Sequence, residues 1–161
     1  MTGAARTSRR PRNLTHGVEP MKAKMILAEA ATGHPDGTIS MLRAGITHVW
    51  VQNPPYALQA ALVSRIEAEM GDAGAHQFDL RCMNDDGAEA MPKMQGQFNV
   101  PQGGGVNNLI LNFQTALPRP GRYTFVLRVD NVQLDVCTIQ VAQAPAGQGA
   151  AGGTGGAPGG N

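Results

Sequence analysis

Three groups of residues have types that could do chemistry. His34, His48, His76, Cys82 and Cys137 offer the nitrogen and sulfur donors that zinc takes. A zinc site needs three or four such donors converging at about 2.0–2.3 Å, whereas these five stand singly between positions 34 and 137. Asp85, Asp86 and Glu89 cluster beside Gly87. General acid–base work requires one carboxyl to be desolvated, and a Gly-containing turn is wet, so turn chemistry and solubility are expected there. Gly147-Gln148-Gly149-Ala150-Ala151-Gly152 spells G-x-G-x-x-G. That pattern cradles a pyrophosphate only between a strand and a helix, and here it lies in a Gly/Ala run. There is no P-loop, H-E-x-x-H, C-x-x-C or G-x-S-x-G sequence. No catalytic, metal or cofactor-binding residue is therefore assigned, and an enzyme is not expected.

A different kind of chemistry is offered by His48-Val49-Trp50-Val51-Gln52-Asn53-Pro54-Pro55-Tyr56, which contains the only Trp. Trp and Tyr dominate interface hot spots, and a stiff Pro-Pro loop would hold them apart. Trp50, Pro54, Pro55 and Tyr56 are the candidate partner-binding residues. The competing and preferred reading makes Trp50 a core anchor, with Tyr56 a half-buried strand start.

The elements that would position these residues are strands. Phe78, Leu80 and Cys82 alternate with Gln77, Asp79 and Arg81; Leu109, Leu111 and Phe113 alternate with Ile110, Asn112 and Gln114. Tyr123, Phe125, Leu127 and Val129 do the same against Thr124, Val126 and Arg128. Period two over such runs marks strands with one buried face. Further strands are expected at 22–30, 38–51 (bent at Gly45), 56–67, 94–100 and 132–141. A helix over 57–70 is the one rival, favoured by its Ala and Leu content. His34-Pro35-Asp36-Gly37, Asp85-Asp86-Gly87 and Asp130-Asn131 supply turns. Tyr123 follows Leu117-Pro118-Arg119-Pro120-Gly121-Arg122 and fits a tyrosine corner, its hydroxyl bonding back a few residues upstream. The expected fold is all-β: a single antiparallel, immunoglobulin-like β-sandwich of seven to nine strands. Both cysteines fall in core-facing registers and are expected to be reduced core thiols.

Composition sets the boundaries. The 161 residues leave room for one domain. Residues 1–20 hold Arg6, Arg9, Arg10 and Arg12 against Glu19 and almost nothing apolar, a basic arm expected to be disordered. Residues 144–161 carry no charge, and eight of those eighteen are Gly, a second disordered tail. The sandwich is expected at 21–143. Thirteen Lys and Arg against twelve Asp and Glu exclude a surface built throughout for nucleic acid or anionic lipid. Any weak nucleic-acid affinity would sit in the four arginines of the arm. No apolar run approaches the length of a membrane span. Neither Met1 nor Met21, a plausible alternative start, is followed by an apolar signal region, so a cytoplasmic location is expected.

Leu27-Ala28-Glu29-Ala30-Ala31, Gly37-Thr38-Ile39-Ser40-Met41-Leu42 and Pro120-Gly121-Arg122-Tyr123 together resemble an uncharacterised bacterial family of small domains of unknown function. The resemblance spans about residues 21–143. It departs at Leu42-Arg43-Ala44-Gly45, where the family's turn is richer in Gly. It implies a β-sandwich in a bacterial cytoplasm and no particular activity.

Two functional expectations follow. The leading one is a non-enzymatic interaction domain that binds a protein partner or self-associates, through loops or an exposed edge strand. The alternative is a small-ligand or carbohydrate-binding module, which four Phe, two Tyr and one Trp would serve poorly.

Overall fold

The computed structural model describes residues 21–53 and 55–144. The expected arm at 1–20 and, apart from Ala144, the expected tail at 144–161 lie outside the described residues. Among the described residues ten strands run in chain order: β1 Lys22–Ala28, β2 Ala30–Gly33, β3 Ile39–Leu42, β4 His48–Val51, β5 Tyr56–Ala68, β6 Gly74–Met83, β7 Met94–Val100, β8 Gly105–Leu117, β9 Gly121–Val129 and β10 Val132–Gln143. Among the described residues the only helical turn is a 3-10 turn at Met70–Asp72. They make a three-stranded sheet ordered β1-β5-β8, a five-stranded sheet ordered β4-β10-β9-β6-β7, and the β2-β3 hairpin.

The alternating runs face inward as the sequence reads. Phe78, Leu80 and Cys82 of β6, Tyr123, Phe125, Leu127 and Val129 of β9, and Ile139 and Val141 of β10 belong to one buried cluster. Leu27 of β1, Leu58, Leu62 and Ile66 of β5, and Leu117 of β8 enter the same cluster from the three-stranded sheet. The helical rival over 57–70 loses because its even positions, from Tyr56 to Ala68, all face this core at strand spacing. Ala61 and Val63, on the opposite face of β5, are also buried. The β2-β3 hairpin folds over them, with Gly33 against Ile110 and Asn108 donating to the Gly37 carbonyl at 3.2 Å.

Three expectations are corrected. The expected strand at 22–30 breaks at Glu29, whose N–H donates to the Leu42 carbonyl at 3.0 Å and sends the chain into the hairpin. The expected bent strand at 38–51 is two strands in different sheets, β3 pairing with β2 and β4 with β10. These two breaks take the count to ten strands, past the expected nine. The pairing is not wholly antiparallel either: β4 runs parallel to β10, His48 opposite Gln140 and Val51 opposite Gln143.

Local chemistry fixes the corners. Asp130 and Asn131 take φ of 48° and 68°, the mirror-image turn whose twist suits a hairpin. The Tyr123 hydroxyl donates to the Arg119 carbonyl at 2.7 Å, closing the expected corner between β8 and β9. Gly96 lets the Phe78 ring lie flat across β7, since a Cβ there would stand 2.8 Å from Phe78 Cε1 and Cζ.

Candidate interaction surface

β4 is held by its ends. Gln140 N–H donates to the Thr47 carbonyl and Ala144 N–H to the Val51 carbonyl, each at 2.8 Å. Parallel register with β10 turns Val49 and Val51 onto the core, beside buried Val141. Trp50, one residue out of phase, faces away and is 66% exposed. Trp50 is therefore not the core anchor that the sequence reading preferred. Nothing local could decide the phase, because Val49-Trp50-Val51 offers apolar side chains to both faces; the pairing with β10 decides it.

The candidate patch is also divided. Pro55 is exposed, Pro54 lies outside the described residues, and Tyr56 is 5% exposed and faces the core. The Tyr56 hydroxyl is enclosed with no hydrogen-bond partner among the described residues. Tyr56 thus leaves the surface set, as more than a half-buried strand start. Beside Trp50 runs a cleft of about 750 Å³ lined by Glu29, Arg43, Ile46, His48 and Gln59. Arg43 reaches Glu29 at 3.4 Å across its wall. The N–H groups of Gly45 and Ile46 share the Leu27 carbonyl, at 2.8 and 3.1 Å, and set the cleft's floor against β1. An exposed indole on an edge strand, next to a charged and apolar cleft, is suited to binding another surface.

A second, polar cleft of about 560 Å³ lies over β6 and β7, lined by Gln77, Asp79, Lys93, Gln95, Gln97 and Asp130. Register places Gln77 opposite Gln97 and Asp79 opposite Gln95. Beneath it His76 Nδ1 stands 2.6 Å from Asp130 Oδ2, and Nε2 stands 2.6 Å from the Asp72 carbonyl. Its ring stacks on Phe98, centroids 5.6 Å apart. The Asp130 bond, then the Asp72 bond, raise the His76 pKa above the ordinary imidazole value. The Gln77 N–H, then His76, hold Asp130 below the usual carboxylate range. The two residues are 54 positions apart, so only the β6–β9 register could reveal the pair.

The remaining chemical candidates are structural. Cys82 and Cys137 both pair in register with Phe125, one on each side of β9. Two strand spacings, about 9–10 Å, put them beyond the reach of a disulfide, which needs Cα atoms within about 7 Å. Burial pushes the Cys82 thiol up to about 12 and raises Cys137 as well, so neither offers a thiolate at neutral pH. Among the described residues no three His, Cys, Asp or Glu side chains are grouped to hold a metal. Asp85 and Asp86 do more than solubilise a turn: Asp85 accepts the Arg122 N–H at 3.0 Å, and Asp86 pairs with Arg119. Both tie the turn after β6 to the tyrosine corner.

The fold thus defines an all-β domain with an aromatic edge and a polar sheet face. More particularly, the chain belongs to a family of unknown function, Family of unknown function (DUF6941), whose model matches residues 24–142. No curated protein matches it.

Proposed function

We propose that this chain is a non-enzymatic interaction domain that binds a protein partner through the β4 edge. Trp50 carries the reading: a large indole, 66% exposed on an edge strand of the five-stranded sheet, is of the residue type most enriched at interface hot spots. The cleft beside it supplies the rim, with Arg43 and Glu29 available for charge complementarity. We read the scaffold as an immunoglobulin-like sandwich. The three-and-five strand order, with β1 and β4 in different sheets, and the Tyr123–Arg119 bond both support it. A bacterial cytoplasm is the proposed setting, in keeping with two thiols held apart by β9.

The test is quantitative affinity capture with the full chain and with Trp50→Ala. Loss of an aromatic hot spot worth about 2 kcal/mol weakens capture of a true partner roughly 30-fold. A captured set identical for both proteins would overturn the reading. A small polar ligand or carbohydrate is the second reading, favoured by the row of Gln77, Asp79, Gln95 and Gln97 along the polar cleft. A melting-temperature rise with a sugar panel, abolished by Gln95→Ala, would support it.

A further inference from the structure

The two main sheets end in four edges, and three of them are closed or short. The Met25 N–H on β1 is taken by Asp135 Oδ2 at 2.7 Å, and the Leu27 carbonyl by the 45–46 segment. β4 is four residues long and β7 seven. The fourth edge, β8, is thirteen residues long, and among the described residues it pairs on one side only, with β5. Its register with β5 is unbroken from Leu117 opposite Tyr56 to Gly105 opposite Ala68.

Exposed edges are ordinarily blunted by charge, Pro, a bulge or brevity. β8 has none of these: Gly105-Val106-Asn107-Asn108-Leu109-Ile110-Leu111-Asn112-Phe113-Gln114-Thr115-Ala116-Leu117 contains no charged residue and no Pro. Its core-facing Leu109, Leu111 and Phe113 stay only partly buried, whereas Phe125 and Leu127 across the core are fully enclosed. Between Val106 and Gln114 the edge therefore presents unpaired backbone groups and unfinished apolar burial along the same line; beyond it the loop after β6 reaches the strand, the Thr115 hydroxyl donating to the Ala90 carbonyl at 3.5 Å.

We propose that β8 pairs antiparallel with β8 of a second copy of this chain, joining two three-stranded sheets into one of six. Self-complementarity singles out that occupant. About a two-fold axis the strand meets its own reversed copy, so like charges near the axis would be drawn together; β8 carries none. With the axis near Leu111, Leu109 faces the partner's Phe113 and Leu111 faces the partner's Leu111. Those are the side chains whose burial is incomplete. This surface is separate from the β4 edge, so the two can be tested independently.

Sedimentation equilibrium of the full chain, from micromolar to near-millimolar concentration, is the experiment. The expected result is the mass of two chains at the upper end. Asn112→Lys with Gln114→Lys, both at exposed positions, should return the mass to one chain with an unchanged circular dichroism spectrum. Asn112→Asp with Gln114→Asp should do the same alone, and mixing the acidic and basic variants should restore the two-chain mass. Trp50→Ala should remain a dimer. A one-chain mass for the unmodified protein throughout, or a dimer that survives the lysines, would overturn the proposal.

Discussion

His76 meets an acceptor at each ring nitrogen, a carboxylate at Nδ1 and a carbonyl at Nε2. Both contacts are satisfied only when both nitrogens carry protons, that is, by the imidazolium. Its folded pKa is raised, so its contribution to stability is complete below the ordinary imidazole value of about 6.5. That contribution is lost as pH rises through the folded pKa. Hydrogen bonds to charged groups are worth about 1.5–3 kcal/mol when enclosed. The Asp130 side chain is 50% exposed, and solvent screening brings that bond down to about 1 kcal/mol or less. His76→Phe keeps a ring against Phe98 and removes both bonds. The expected cost is about 1–2 kcal/mol near pH 5.5, shrinking at alkaline pH. Urea unfolding followed at several pH values reads this as a midpoint that falls from weakly acid to alkaline conditions with unchanged slope. The variant should lose most of that fall. A midpoint that rises over the same range, or a variant that keeps the full fall, would refute the reasoning.

Three further outcomes are expected. Asp130, whose carboxylate is held below the usual range, contributes above its ordinary pKa; Asp130→Asn should narrow the acid-side loss of stability as pH falls through the folded value, read by thermal melts in acid. Tyr123→Phe removes the bond to the Arg119 carbonyl and should cost about 0.5–1.5 kcal/mol in a denaturant titration. Gly96→Ala drives a methyl into the Phe78 ring and should cost about 1–3 kcal/mol, with Phe78→Leu in the same chain recovering part of it.

Much of this was legible in the residues, and the boundary is physical. The runs around Phe78, Leu109 and Tyr123 alternate over seven or eight residues against mostly polar partners, Ile110 and Val126 excepted, and each faces the core as read. The Asp130-Asn131 turn and the Tyr123 corner are local in sequence, so local chemistry suffices for them. Leu27 to Ala31 holds no Gly, Pro, Asn or Asp to punctuate it, so no turn signal marks where the chain leaves one sheet for the hairpin. At Val49-Trp50-Val51 both faces are apolar, and only a partner strand 92 positions on, Val141 opposite Val49, chooses between them. The Asp85 and Asp86 links to the corner likewise join segments more than thirty residues apart.

The exposure of Trp50 underlies the proposed interaction surface, and the protein's single Trp makes it directly observable. Native fluorescence of the full chain in dilute solution, with acrylamide quenching, is the measurement. An indole standing free on β4 emits at the wavelength of free tryptophan in the same buffer and is quenched nearly as readily as in the unfolded chain. A strongly blue-shifted, quencher-resistant native spectrum in dilute monomer would bury Trp50 and contradict the surface on which the proposed function rests.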